Sequence, residues 1–225
     1  AIVLAAGSGK RMNSKVHKQY LIIQDRPVLY YSLKAFEDSA VDEIVLVVGK
    51  GEEKFCRKEI VDKYGISKVK AIVEGGKERY HSVFEGLKQT SDADYVLIHD
   101  GARPFADREL ILRCLQSAVD HGAASAAVNT NDTIKRVSPE GIIEETPNRE
   151  FLYLTQTPQI FKASLYHKAV EQAEKEGLDF TDDCQLIEHI GHRVWVSQGD
   201  YRNIKITTPE DIAMAQAIAQ WTEQK

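Results

Sequence analysis

Directly after an apolar stretch, Ala1 to Ala5, come Ala6-Gly7-Ser8-Gly9-Lys10-Arg11-Met12, and Lys18 stands seven residues past Arg11. A strand that empties into a turn of small residues exposes successive backbone N–H groups, which suit phosphate oxygens. Gly7 and Gly9 carry no Cβ, so a ligand can approach the backbone closely, and Lys10, Arg11 and Lys18 are cations placed for a polyanion. The chemistry indicated is that of phosphates. Two common phosphate loops are excluded by spacing. A dinucleotide fingerprint needs glycine or alanine where Met12 stands, and a P-loop needs four residues between its glycines where Ser8 stands alone.

A second motif is Val96-Leu97-Ile98-His99-Asp100-Gly101-Ala102-Arg103-Pro104. Asp100 ends an apolar run, Gly101 and Ala102 allow close approach, and Arg103 adds a cation. A lone carboxylate beside a phosphate cradle is how Mg²⁺ is commonly held; a turn aspartate capping the next segment is the plainer alternative. A third is Glu74-Gly75-Gly76-Lys77-Glu78-Arg79-Tyr80-His81-Ser82. Its paired glycines lead into a helix on which Arg79 and Ser82 share a face, and Ser82 can meet a base edge. A distal set comprises Arg149, Thr157, Thr181 and Lys205. Lys205 lies in an apolar stretch and needs a partner, either a bound anion or a carboxylate, unless an edge position leaves it solvated.

These residues must be positioned by an alternation of strand and helix. Strands are expected at Ala1–Ala5, Glu43–Val48, Val69–Glu74, Tyr95–His99 and Ala123–Val128. Helices are expected at Pro27–Asp38, Lys54–Tyr64, Glu78–Gln89 and Asp107–Asp120, the last presenting Leu110, Leu112, Leu115 and Val119 as its apolar face. That rhythm predicts an α/β fold with a doubly wound, mainly parallel sheet and ligands at the strands' carboxyl ends. It breaks at Asn129. Asp132–Val137 and Ile142–Thr146, joined by Ser138-Pro139-Glu140-Gly141, read as an inserted β-hairpin. Phe151–Thr157, Ser164–Glu176, a helix after Thr181, Val194–Val196, Ile204–Thr207 and Pro209–Trp221 complete the pattern. The expectation is one domain, 1–225, with an arm at about 129–151. A hairpin that small packs on something, and a second subunit is the natural partner.

The chain has 225 residues and a net charge of −5 without a long basic run, which argues against nucleic acid as a partner. Its longest apolar runs are strand-length, so no membrane span is expected. Three scattered cysteines, Cys56, Cys114 and Cys184, predict free thiols in a reducing, cytoplasmic compartment. His189 and His192 lack a third ligand nearby, so a zinc site is not expected. No Ser/His/Asp or Cys/His pairing presents itself.

Taken together, Leu4-Ala5-Ala6-Gly7-Ser8-Gly9-Lys10-Arg11-Met12, Lys18-Gln19-Tyr20, Gly75-Gly76-Lys77-Glu78-Arg79 with Ser82, His99-Asp100-Gly101-Ala102-Arg103-Pro104, Thr157-Pro158-Gln159 and Asn203-Ile204-Lys205 form an ordered set. The set resembles the 2-C-methyl-D-erythritol 4-phosphate cytidylyltransferases of non-mevalonate isoprenoid synthesis, over essentially the whole chain. The resemblance implies a Rossmann-like nucleotidyltransferase fold, CTP and a polyol phosphate as small-molecule substrates, Mg²⁺ as cofactor, and a homodimer formed through the arm. It implies that the backbone around Ala5, Ala6 and Gly7, with Gly76 and Ser82, holds cytosine. Gly9, Arg79, Gly101 and Arg103 would complete the CTP site, and Asp100 would bind Mg²⁺. Arg11 and Lys18 would stabilise the transition state. Arg149, Thr157, Thr181 and Lys205 would position the second substrate, with Arg149 and Lys205 also counted among the catalytic groups. Arg149 and Thr157 would reach a neighbouring subunit's site. His17 stands where that family usually has proline. A ribitol 5-phosphate cytidylyltransferase, an NAD-linked dehydrogenase and a non-catalytic nucleotide binder stay open as alternatives; the missing third glycine disfavours the second, and Lys18 with Asp100 the third.

Overall fold

The computed structural model describes every residue except Ser8, Lys10, Arg11, Asn13, Ser14, Lys15, Ser91, Asp179, Gln224 and Lys225. In chain order the strands are β1 (Ile2–Ala5), β2 (Ile22–Ile23), β3 (Arg26–Pro27), β4 (Ile44–Val48), β5 (Val69–Glu74), β6 (Tyr95–Asp100), β7 (Ala123–Asn129), β8 (Arg136–Val137), β9 (Ile143–Glu145), β10 (Tyr153–Lys162) and β11 (Trp195–Gln198). The helices are α1 (Val28–Glu37), α2 (Glu53–Cys56), α3 (Arg79–Leu87), α4 (Arg108–His121), α5 (Ala163–Glu176), α6 (Asp183–His189) and α7 (Pro209–Glu223).

Seven strands form one sheet in the order β11-β7-β10-β6-β1-β4-β5. Every neighbouring pair is parallel except those made by β10, which runs antiparallel to both β6 and β7. The central strands are apolar on both faces because both are covered. On one side Val3, Leu46 and Leu97 pack with Leu29, Leu33 and Phe36 of α1 and with Leu110, Ile111 and Cys114 of α4. On the other, Ile2, Val47 and Ile98 pack with Val83 of α3 and Tyr166 of α5. A smaller cluster joins Met12, Ile23 and Val28 to Ile206 and to Ala215 and Ala219 of α7. From β1 the chain proceeds to β4 and β5 on one side, then returns to place β6 on the other. The carboxyl ends of β1 and β6 therefore flank the sheet's switch point, where open α/β sheets bind ligands.

Three expectations are corrected. The helix expected at Lys54–Tyr64 begins as α2 and continues in a wider, i→i+5 winding over Arg57–Asp62. α4 buries Leu110, Ile111, Cys114 and Ala118, while Leu112 and Val119 are exposed. Ile204–Thr207 joins no sheet. It is an irregular segment tied down by the Ile206 N–H, which donates to the Ala102 carbonyl at 2.9 Å.

Candidate active site

The carboxyl end of β1 is held by the 3₁₀ turn Lys18–Tyr20 that follows its glycine loop. The buried Gln19 donates from Nε2 to the Ala5 carbonyl at 2.6 Å, docking the turn on the strand. Lys18 Nζ donates to the Ile206 carbonyl at 3.0 Å, which draws the 203–207 segment to the same place. Gly9 has φ +61°, and a Cβ there would lie 3.4 Å from Lys18 Cγ, so the loop closes tightly on the lysine stem. Arg11, expected to be catalytic, lies outside the described residues, as do Ser8 and Lys10.

The end of β5 approaches this loop. A Cβ on Gly75 would stand 2.4 Å from Ala6 Cβ and 2.7 Å from Ser82 Oγ. The Gly76 N–H donates to Ser82 Oγ at 3.2 Å, and that hydroxyl donates to the Glu78 carbonyl at 3.2 Å. Ala6, Gly76 and Ser82, expected around cytosine, thus gather with Gly75 beside Ala5, and Ser82 itself is buried. Gly7 is exposed, and among the described residues no atom would lie within 4 Å of a Cβ there.

Beside them, at the end of β6, Asp100 is surrounded by cations. Lys205 Nζ stands 2.7 Å from Oδ2, Arg79 Nε 3.4 Å from Oδ1, and Arg103 Nε 3.7 Å from Oδ2. Burial opposes the charged form of Asp100, but Arg79, Lys205 and Arg103 outweigh it and hold its carboxyl well below the usual carboxylate range. Of the partners Lys205 could have had, the structure supplies a carboxylate. Gly101 is required by its setting: its N–H donates to the Leu4 carbonyl at 2.8 Å, and a Cβ would come within 2.9 Å of that oxygen.

The cations are themselves braced. Arg79 Nη1 lies 2.7 Å from Oδ2 of Asp183, a buried carboxylate whose Oδ1 accepts from the Tyr166 hydroxyl at 2.7 Å. Arg103 Nη1 donates to the Asn203 carbonyl at 2.7 Å, and Asn203 Nδ2 donates to the Thr157 carbonyl at 2.9 Å. Thr157 Oγ1 accepts from the Asp100 N–H at 3.0 Å and donates to His99 Nδ1 at 3.0 Å, while His99 Nε2 donates to the Arg103 carbonyl at 3.1 Å. This tautomer follows from the partners. Burial pushes the His99 imidazole down to about 4. Buried Arg103 Nε and Asn203 Oδ1 have no hydrogen-bond partner among the described residues, leaving bonding capacity at the floor of the site.

The distal residues divide. The register of β10 on β6, with Gln159 opposite Ile98, carries Thr157 to Asp100 of its own chain. Thr157, expected to reach a neighbouring subunit's site, is buried and engaged at the strand-end site of its own chain. Arg149 is exposed at the base of the hairpin, with Nη1 donating to the Asn131 carbonyl at 3.1 Å. Thr181 is exposed and donates from Oγ1 to Gln185 Oε1 at 3.1 Å, just before α6. Asp183 follows Thr181 in the distal stretch Thr181-Asp182-Asp183, and the sequence assigns it no role of its own. Its signal was the pair Asp182-Asp183: Asp182 caps α6 by accepting from the Gln185 N–H, which leaves Asp183 to pair elsewhere.

Among the described residues no three metal-ligating side chains come together. Both oxygens of Asp100 already face cations, so Mg²⁺ there would have to take the place of Lys205 on Oδ2 and share the carboxylate with substrate phosphates and water.

A family model for 2-C-methyl-D-erythritol 4-phosphate cytidylyltransferase matches residues 1–220. Proteins bearing that name in Lachnoclostridium phytofermentans and Alkaliphilus metalliredigens are 47% and 45% identical to this chain. The first alignment covers 97% of this chain and 94% of its relative, the second 96% and 91%. The crystal structure of 4-diphosphocytidyl-2C-methyl-D-erythritol synthase from Anaerococcus prevotii superposes with a TM-score of 0.86 at 38% identity, covering 97% of this chain and 94% of that one. The 2-C-methyl-D-erythritol 4-phosphate cytidylyltransferase of Thermus thermophilus superposes at 0.79 with 31% identity, covering 98% of each.

Proposed function

The chain belongs to the 2-C-methyl-D-erythritol 4-phosphate cytidylyltransferase family, and we propose that it joins CTP to 2-C-methyl-D-erythritol 4-phosphate, giving 4-diphosphocytidyl-2-C-methyl-D-erythritol and pyrophosphate. The observation that carries the site assignment is the ring of Lys205, Arg79 and Arg103 about Asp100, next to the glycine turn that ends β1.

An oxygen of the polyol phosphate attacks the α-phosphorus of CTP, and the bond to the bridging oxygen breaks, its electron pair leaving with pyrophosphate. A phosphate monoester is largely dianionic near neutral pH, its second pKa being about 6, so the nucleophile needs no general base. The obstacle is charge, because two polyanions must meet and negative charge must shift to the leaving group. Arg79, Arg103 and Lys205 outnumber Asp100 and Asp183, which leaves the strand-end cluster net positive. Lys18, from the turn after β1, would stabilise the charge that develops on transfer, together with Arg11. Asp100 would hold Mg²⁺, whose part is to neutralise phosphate charge. Ala5, Ala6, Gly7 and Gly76 would present backbone groups to cytosine with Ser82 shaping the slot, while Gly9 and Gly101 let the phosphates come close. Thr181 and Arg149 would meet the second substrate.

A homodimer completes this reading. Ile134, Val137, Ile142 and Ile143 are exposed on the arm, and Phe151, Tyr153 and Leu154 are exposed at its base. The hairpin itself pairs only Arg136 with Glu145 and Val137 with Ile143. A two-stranded hairpin is marginal alone, and a second copy of this chain would cover these residues while bringing Arg149 to the other subunit's site. No described helix is long and apolar enough to cross a membrane. Three buried free cysteines support a reducing, cytoplasmic setting.

The test is pyrophosphate release with CTP across a panel of polyol phosphates. Methylerythritol phosphate should be turned over fastest, and CTP should exceed ATP and GTP by orders of magnitude, because a site that hydrogen-bonds a base edge leaves its own groups unpaired with the wrong base. Faster turnover of ribitol 5-phosphate, or equal use of ATP, would overturn the assignment.

A further inference from the structure

The turn that carries Lys18 is fastened to a carboxylate from the loop after a neighbouring strand, apart from the phosphate cluster. Glu52 lies in the loop after β4, on the opposite side of β1 from Asp100. Its Oε1 stands 2.7 Å from His17 Nδ1, and its Oε2 accepts from the Tyr20 hydroxyl at 2.7 Å and from the Gly49 N–H at 3.0 Å. The carboxylate thus holds the residue before Lys18 and the residue two after it. Its place is prepared, because a Cβ on Gly49 would come within 2.7 Å of Oε2. The phenol ring of Tyr20 meets Phe55 edge-on at 5.0 Å, and its hydroxyl lies 3.0 Å from the Cys56 sulfur. Gln19 fixes the turn along β1, and Glu52 fixes it from the side.

We propose that Glu52, acting with His17 and Tyr20, is a positioning clamp for Lys18, setting where that ammonium stands without itself meeting substrate. The proposal rests on the reading of Lys18 as a transition-state cation. A group displaced by about 1 Å from its productive position can lose about 10²-fold in rate. Releasing the His17 and Tyr20 contacts from one side of the short turn is a displacement of that kind. His17 is the half-exposed member of the clamp, and its removal leaves the Tyr20–Glu52 bond in place.

The experiment is a double-mutant cycle. Glu52→Ala, Glu52→Gln and His17→Ala are each measured alone and in the Lys18→Ala background, by steady-state kcat and KM for CTP, with melting temperature recorded alongside. Glu52→Ala should lower kcat about 30- to 100-fold with KM for CTP changed less than about threefold. Glu52→Gln, which keeps one carbonyl acceptor, should recover part of that loss. His17→Ala should lower kcat several-fold without a comparable fall in melting temperature, which keeps the test valid if Glu52→Ala folds poorly. In the Lys18→Ala background every one of these losses should shrink below about twofold, since a clamp has nothing left to place. Undiminished losses in that background would show Glu52 and His17 acting independently of Lys18 and overturn the clamp. Near-normal kcat for Lys18→Ala alone would instead remove its premise, a separate result from the same set.

Discussion

The strand-end cluster and the arm solve opposite problems. Around Asp100 at the end of β6 the chain gathers its own charges: Arg79 of α3, Arg103 from the turn after β6 and Lys205 of the 203–207 segment reach Asp100, and Asp183 of α6 braces Arg79. On the arm, Ile142 and Ile143 are exposed, and so is the Phe151 ring at its base, which is 75% accessible. Arg149 there donates to a backbone carbonyl, whereas Arg79 and Arg103 each face a carboxylate. The comparison sets charge assembled within one chain at its strand ends against an apolar outer surface that the proposed dimer would cover.

The inner half should break first and furthest. Lys18→Ala should reduce kcat by about 10²- to 10³-fold, the scale of losing one preorganised transition-state donor. KM for CTP should stay nearly unchanged, because the charge it meets appears on transfer. Steady-state kinetics decide this; a normal kcat would strip Lys18 of its role. Next, Asp183→Asn leaves the Arg79 guanidinium short of a buried carboxylate and should cost about 3 kcal/mol of stability by denaturant titration. A loss under about 1 kcal/mol would mean that Arg79 does not depend on that brace.

A smaller effect is set by acid. The His99 imidazole titrates near 4 in the fold and near 6.5 when unfolded, so the unfolded chain binds the extra proton between those values. Its contribution to stability is therefore present in full above pH 6.5 and is lost as pH falls toward 4, by about 1.5 kcal/mol between pH 6.5 and 5. His99→Asn should flatten that limb whatever its own starting stability. An unchanged slope would assign the loss to other groups. The arm should answer least. Ile142→Ser with Ile143→Ser should leave the stability of one chain within about 0.5 kcal/mol, as exposed sites do, while weakening self-association in sedimentation. Unaltered association would remove these isoleucines from the contact.

Much of this division was legible in the residue pattern. β4 is an unbroken apolar run and β6 opens with Tyr95-Val96-Leu97-Ile98, patterns that strands covered on both faces sustain, and the glycines after β1 and at Gly75-Gly76 pointed to the ligand edge. The α4 face was misjudged because leucine and valine outweigh cysteine and alanine in any apolar count, yet Cys114 and Ala118 fit against the sheet where Leu112 and Val119 do not point. Ile204–Thr207 has the composition of a strand, but Ile206 uses its backbone on Ala102 and on Lys18, a choice made by the fold and invisible in the segment. Asp183 was illegible for the same reason, since its partner Arg79 lies 104 residues away.

The most direct test of a site finished by two chains is to mix two inactive variants. Arg149→Ala chains and Lys18→Ala chains, allowed to exchange subunits, form hybrid dimers with one site that takes Lys18 from one chain and Arg149 from the other. Pyrophosphate release should recover to about half of wild type per hybrid dimer, or about a quarter in a random one-to-one mixture, by counting two-fold related sites. No recovery in a mixture shown to exchange subunits would place Arg149 in its own chain's site and contradict the account.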